Sequence, residues 1–159
     1  MLQIGDPAPD FELLSDENQP VTLSDLRGQR VVLFFYPKAD TPGCTVQACG
    51  FRDRFPIIEA GNATVIGVSP DMPAALARWR AKEQLPYTLL SDPDHVLADA
   101  YGVWGEKTAY GRSYMGIIRS HAIIGPDGRI EDLRIRVKPE ESVQAAVDFL
   151  AAHGENGPA

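Results

Sequence analysis

Residues 31–49 read VVLFFYPKADTPGCTVQAC, and this stretch predicts both a fold class and a reactive site. The apolar run at residues 31–36 ends at Pro37 and is typical of a buried parallel strand. Pro42 suits the first turn of a helix, where its missing N–H is not needed, and Thr41 before it is the expected N-cap. The sequence therefore predicts a strand, a tight loop and a helix that begins at residue 42.

Cys44 falls in the first turn of that helix, near free backbone N–H groups and the positive end of the helix dipole. These donors favour the thiolate, which is the nucleophilic form of cysteine. The alternative is an inert buried thiol, the commonest state of a free cysteine. Because a loop of proline and glycine at a helix start is a poor place to bury a side chain, we expect Cys44 to be reactive.

Cys49 is the second of only two cysteines and lies five residues after the first. In a regular helix this spacing places the two Cα atoms about 8.7 Å apart, whereas a disulfide needs about 4.4–6.8 Å. A permanent bridge is therefore not expected, although a transient one is possible if the helix opens locally. Cys49 is either the partner of Cys44 in such a bridge or a residue that only packs.

Composition excludes several classes of partner. The chain of 159 residues carries 15 basic and 22 acidic residues, for a net charge of −7. This balance argues against nucleic acid and against an anionic membrane, since both attract clustered positive charge. No apolar run approaches the roughly 20 residues of a membrane span, and residues 1–7 lack the features of a secretory signal. We expect a cytoplasmic protein, in which two cysteines are more often catalytic or redox-active than structural.

Histidines and charged residues add less. His95, His121 and His153 have no metal-ligand spacing relative to one another or to the cysteines, so no metal site is expected. Asp40 would oppose a thiolate if it pointed inward, and we expect it to face water. Arg119 interrupts an apolar segment, where an arginine ordinarily lies on a solvated face of a strand.

The rest of the chain predicts an α/β fold. Strand patterns occupy residues 11–14, 21–23, 31–36, 64–68, 88–90, 117–124 and 129–137, and helical patterns occupy residues 42–60 (interrupted by Pro56), 73–84, 95–101 and 140–152. This order predicts an N-terminal hairpin and a central mixed β-sheet flanked by helices on both faces. Residues 1–153 are expected to form a single domain and residues 154–159 a flexible C-terminal tail. The loop at residues 37–43 follows a parallel strand, at the edge of the sheet where active groups are expected.

These motifs together resemble the peroxiredoxins, and within them the bacterioferritin comigratory protein (PrxQ) branch. The family signature P-x-x-x-T-x-x-C is complete as Pro37, Thr41 and Cys44, in the branch's extended Thr-Pro-Gly-Cys-Thr form. The resemblance implies that Pro37, Pro42 and Gly43 frame the active site. The similarity runs from about residue 5 to residue 153 and includes segments 5–11, 90–94, 101–107 and 114–120.

The resemblance implies a thioredoxin-like fold and a thiol peroxidase that needs no metal, haem or flavin. Cys44 would be the peroxidatic cysteine, which becomes a sulfenic acid, and Cys49 the resolving cysteine. Thr41 would accept a hydrogen bond from the substrate, and Arg119 matches the family's catalytic arginine. The substrates would be hydrogen peroxide and organic hydroperoxides, the reductant thioredoxin or a similar dithiol, and the protein a monomer.

The sequence departs from the family just after the arginine, where His121 and Ala122 replace the usual threonine and phenylalanine. Either the small Ala122 loosens the wall that supports Arg119, or His121 fills the space. This departure bears on the substrate range rather than on the reaction.

A second class of function stays open. The chain is also compatible with a peroxide sensor or a thiol-disulfide exchange protein that acts on a partner protein. A thioredoxin-like oxidoreductase normally carries C-x-x-C, which is absent from this sequence. A sensor would not sustain turnover coupled to NADPH, and that property separates it from a peroxidase.

Overall fold

The structure is a computed structural model and describes residues 2–153. Within that range the strands are β1 (Glu12–Leu14), β2 (Pro20–Thr22), β3 (Arg30–Phe35), β4 (Ala63–Ser69), β5 (Thr88–Ser91), β6 (Trp104–Ala109), β7 (Arg112–Ile117), β8 (Ser120–Ile124) and β9 (Ile130–Ile135). The helices are α1 (Pro42–Ala60), α2 (Pro73–Glu83), α3 (Val96–Ala100) and α4 (Pro139–His153). None of these helices combines the length and apolar character needed to cross a bilayer. The tail predicted at residues 154–159 lies outside the described residues.

Five strands form the central sheet in the order β5-β4-β3-β8-β9. β3, β4 and β5 are parallel neighbours, whereas β8 is antiparallel to both β3 and β9. β1 and β2 pair as the predicted N-terminal hairpin, and β6 and β7 form a second hairpin. The prediction of a mixed sheet with a hairpin ahead of it is confirmed.

Both faces of the sheet are covered, and β3 shows how. Val32 and Phe34 point towards α1, α2 and α4, whereas Leu33 and Phe35 point towards α3 and the N-terminal hairpin. All four side chains are at most 1% exposed. Burial on both faces explains why this strand is a continuous apolar run instead of an alternating one, and it confirms the prediction of helices on both faces.

The prediction of a single strand at residues 117–124 is wrong. The chain leaves β7 at Ile117 and enters β8 at Ser120, so Arg119 lies in the connection between two strands. The hairpin of β6 and β7 was not predicted because much of it is exposed to solvent. Tyr110 at its tip is fully exposed and Met115 is 55% exposed, so the segment lacks the buried apolar pattern that marks a strand.

Pro56 does not interrupt α1, contrary to the prediction. The helix is continuous from residue 42 to residue 60, with Pro56 exposed inside it. A proline in a helix removes one backbone hydrogen bond. Here Phe51 and Ile58, both at most 2% exposed, attach the helix to the sheet on either side of the proline.

The side chains around Gly67 of β4 are packed so closely that one added methyl group should lower the stability of the protein. An alanine Cβ at Gly67 would lie 2.8 Å from Phe34 Cζ and 2.9 Å from Leu89 Cδ2. Gly67→Ala should therefore lower the free energy of unfolding by about 1–3 kcal/mol, measured by urea denaturation. Gly61→Ala is the matched control, since its Cβ would approach no atom closer than 3.5 Å. Equal stability of the two variants would contradict this account of the core.

Candidate active site

The loop between β3 and α1 is attached to the end of the neighbouring strand β4. The backbone N–H of Ala39 donates to Asp71 Oδ2 at 2.7 Å, and the Ser69 hydroxyl donates to the same oxygen at 2.7 Å. Asp40 has a positive φ of 61° and its carboxylate pairs with Lys82 at 2.8 Å on the surface. Asp40 therefore faces solvent, as predicted, and the loop has a fixed path into the helix.

Thr41 occupies the N-cap position of α1, as predicted, but its hydroxyl does not cap the helix. Its Oγ1 instead donates to the carbonyl of Lys38 at 2.7 Å. A threonine hydroxyl that donates keeps its capacity to accept, so this oxygen can still receive a hydrogen bond from a bound molecule. The first backbone N–H groups of α1, including that of Cys44, have no acceptor within the helix.

Cys44 lies on the inner side of the first turn of α1 and is only 1% exposed. The expectation that this position cannot bury a thiol is wrong, because the first turn packs against the core of the sheet. The surroundings are nevertheless not those of an inert thiol. Arg119 Nη2 donates to Cys44 Sγ at 3.4 Å, so a half-buried cation lies directly beside the sulfur.

Gly43 permits this approach of the guanidinium. A Cβ at this position would lie 3.0 Å from Arg119 Nη2, a contact so tight that the guanidinium would have to shift by a few tenths of an ångström. Pro37 follows the end of the first core strand, and Pro42 is the first residue of α1. The structure thus brings Gly43, Cys44 and Arg119 together. Thr41 is the adjacent N-cap residue, and the two prolines lie on either side of the loop.

A chain of polar groups continues from Arg119 into the interior. Arg119 Nη1 donates to Gln47 Oε1 at 2.8 Å, Gln47 Nε2 donates to Ser142 Oγ at 3.0 Å, and Ser142 Oγ lies 2.7 Å from His121 Nδ1. Gln47, Ser142 and His121 are each 0% exposed. Sequence reasoning missed Gln47 and Ser142. The three-residue spacing from Cys44 places Gln47 on the same side of the helix, whereas nothing in the sequence indicated Ser142.

His121 and Ala122, the two residues that depart from the family pattern, point to opposite faces of the sheet, because successive residues of a strand alternate in direction. His121 faces α1 and α4, and burial lowers the pKa of its imidazole to about 4. Ala122 belongs to the core on the other face, opposite Leu33. The alternative in which Ala122 loosens the wall beside Arg119 is therefore wrong, and His121 is the residue on the side of the site.

Cys49 is half-buried further along α1, where its Sγ donates to Glu83 Oε2 at 3.3 Å. Arg52 Nη1 donates to the Glu83 carbonyl at 2.7 Å and holds the end of α2 beside the cysteine. Burial and then the Glu83 contact raise the pKa of the Cys49 thiol. Both cysteines are free and lie in one continuous helix, so their Cα atoms have the separation of about 8.7 Å given by helix geometry.

Lys107 of β6 is a second cation, close enough to Arg119 for the two charges to interact. The sequence did not indicate this residue, because its hairpin was not predicted. Its Nζ donates to the carbonyl of Ile117 at 2.8 Å. Burial lowers the pKa of Lys107, and the positive charge of Arg119 lowers it further.

The surroundings of Cys49 predict its titration. In a Cys44→Ser variant Cys49 is the only thiol, and because burial and Glu83 raise its pKa, its alkylation by iodoacetamide should accelerate at higher pH than that of an exposed cysteine. Glu83→Gln removes the carboxylate charge and should shift the profile to lower pH. Glu59→Gln, at an exposed position near the end of α1, is the control. Identical profiles for the two glutamine variants would contradict a role of Glu83.

Comparison with known proteins shows similarity over almost the whole chain. The AhpC/TSA family profile matches residues 4–133. The putative peroxiredoxin bcp of Haemophilus influenzae is 46% identical over 149 residues, which are 94% of this chain and 96% of that protein. A solved cysteine-to-serine mutant of Xylella fastidiosa PrxQ has a TM-score of 0.90 at 36% identity, covering 96% of this chain and 98% of the other.

A structure of the Xanthomonas campestris bacterioferritin comigratory protein, studied for alkyl peroxide reduction, has a TM-score of 0.87 at 31% identity and covers 96% of this chain and 98% of its own. These relatives share the thioredoxin-like fold, which was the predicted one. The chain therefore belongs to the AhpC/TSA family: it is a peroxiredoxin of the bacterioferritin comigratory protein branch, and so a thiol-dependent peroxidase.

Proposed function

We propose that this peroxiredoxin reduces hydrogen peroxide and organic hydroperoxides through a sulfenic acid on Cys44 and a transient Cys44–Cys49 disulfide, which thioredoxin or a similar dithiol reduces. The observation that carries the proposal is the 3.4 Å contact between Arg119 Nη2 and Cys44 Sγ at the start of a helix. The guanidinium and the free N–H groups of the first turn place positive charge and hydrogen-bond donors beside the sulfur. The same guanidinium is close enough to stabilise charge that develops on peroxide oxygens.

In the first step the Cys44 thiolate attacks one oxygen of the peroxide, so that a sulfur–oxygen bond forms as the oxygen–oxygen bond breaks. The electron pair of the broken bond leaves with the other oxygen, which takes a proton and becomes water or an alcohol. Thr41 Oγ1 accepts a hydrogen bond from the hydroperoxide while Arg119 stabilises the departing oxygen. The slight exposure of Cys44 favours small substrates, and the alkyl peroxide activity of the Xanthomonas relative supports organic hydroperoxides among them.

In the second step the Cys49 sulfur attacks the sulfenic acid, and the hydroxyl leaves as water. Cys49 must first leave Glu83, and part of α1 must unwind to bring the two Cα atoms within disulfide range. The dithiol then reduces the bridge by exchange, so that one hydroperoxide and one dithiol yield one alcohol, one water and one disulfide. Because the cycle runs within one chain, we expect the monomer to be active.

Turnover coupled to thioredoxin, thioredoxin reductase and NADPH tests the proposal. Cys44→Ser should abolish turnover because it removes the nucleophile. Arg119→Ala should lower kcat/KM by about 10²–10³-fold, and Arg119→Lys should not restore it, since lysine lacks the planar fork of donors. Arg112→Lys, at an exposed position of β7, is the matched control. Substantial turnover by Cys44→Ser or near-native kcat/KM of Arg119→Lys would contradict the assignment.

The step between the cysteines predicts a change in the helix. Amide hydrogen exchange at residues 44–54 should be faster in the oxidised protein than in the reduced one, because the bridge cannot form in a regular helix. Cys49→Ser should keep its protection after peroxide treatment. Equal protection of the two redox states would contradict resolution within the chain, and a dimer on non-reducing gels would then identify an intermolecular disulfide.

A further inference from the structure

The polar chain behind Arg119 has a direction that its chemistry imposes. A guanidinium has donors and no acceptor, so Arg119 Nη1 can only donate, and the atom that it meets at 2.8 Å must be the Gln47 amide oxygen. The Gln47 amide nitrogen therefore faces Ser142 Oγ, to which it donates at 3.0 Å. The Ser142 hydroxyl proton then needs an acceptor of its own.

His121 supplies that acceptor. Its Nδ1 lies 2.7 Å from Ser142 Oγ and can accept the hydroxyl proton when this nitrogen is unprotonated. The imidazole is then neutral and carries its proton on Nε2, which has no hydrogen-bond partner within the described residues. The low pKa of the buried His121 agrees with a neutral ring across the physiological range.

Each buried group in this chain depends on the next one. Without an acceptor at residue 121, the Ser142 hydroxyl would turn its proton towards the Gln47 amide. Two donors would then face each other, because Gln47 Nε2 points at the same oxygen, and the amide would lose the partner that holds it. Arg119 would then contact an amide that is no longer held in place, and its position beside the sulfur would be less fixed.

We propose that His121 is a positioning residue for the peroxidase reaction, which accepts the Ser142 hydroxyl proton at Nδ1 and thereby keeps the Gln47 oxygen towards Arg119. The proposal rests on the role of Arg119 proposed above. The proposal explains why a histidine stands at residue 121, where the family usually has threonine. His121 would orient the Arg119 guanidinium through the side chains of Ser142 and Gln47.

Two substitutions of His121 separate the acceptor from the shape of the ring. Asparagine places its Oδ1 near the position of Nδ1 and keeps an acceptor there, whereas leucine fills a similar volume without one. His121→Leu should lower kcat/KM for hydrogen peroxide about tenfold or more, because small displacements of a positioning group are costly. His121→Asn should stay close to the wild-type value. Equal losses in the two variants would overturn the proposal.

Coupling to Arg119 provides the second readout. In an Arg119→Ala background, His121→Leu should cause no further loss, because no guanidinium is left to orient. Ser142→Ala breaks the same series of hydrogen bonds by a smaller change and should lower kcat/KM as His121→Leu does. If the leucine variant does not fold, Ser142→Ala takes its place in the test. Ile123→Val is the control, since this residue is buried on the same face of β8 but takes no part in these side-chain hydrogen bonds.

The outcomes distinguish this proposal from the one on which it rests. Additive losses of His121→Leu and Arg119→Ala, or wild-type kcat/KM in both His121→Leu and Ser142→Ala while Arg119→Ala is impaired, would overturn the role of His121 alone. Wild-type kcat/KM in Arg119→Ala would overturn the role of the arginine, and that of His121 with it.

Discussion

The contact between the Arg119 guanidinium and the Cys44 sulfur is the constraint around which the neighbouring elements are arranged. The two residues are 75 positions apart in the chain, and neither is in a position to reach the other through local structure. They meet because β8 lies beside β3, with Ser120 opposite Phe35. The connection before β8 and the loop after β3 therefore leave the sheet at the same edge. The strand order creates the site, and the helix start only presents the thiol to it.

Hydrogen bonds between buried polar groups restrict the positions of these elements more narrowly than apolar packing alone would. Apolar side chains tolerate some sliding, whereas a hydrogen bond weakens steeply when its distance or angle departs from a narrow range. Gln47 belongs to α1, Ser142 to α4 and His121 to β8, so their contacts fix two helices relative to the sheet. Both ends of the Gln47 amide are paired, and leaving either unpaired would be costly, which favours one arrangement of these side chains.

The sequence was sufficient where the determinant is local. The apolar run of β3, the proline at the start of α1 and the signature around Cys44 are all short-range patterns, and the structure contains the corresponding elements. The burial of Cys44 could not be predicted, because it depends on how the helix sits on the sheet. Gln47 and Ser142 are 95 residues apart, and no local pattern pairs them. The position of Arg119 was indicated by family resemblance, since its own segment read as one strand.

Pro56 leaves α1 continuous but removes one of its backbone hydrogen bonds. A proline donates no backbone hydrogen bond, so the carbonyl four residues earlier has no helical partner at this point. Helical order spreads through consecutive hydrogen bonds, and a missing bond limits how far loss of order spreads. The part of α1 before Pro56 contains both cysteines, whereas the part after it has Ile58 buried against the core. The unwinding proposed for residues 44–54 would thus meet a helix with one bond fewer before it reached Ile58, so the change of shape would stay near the active site.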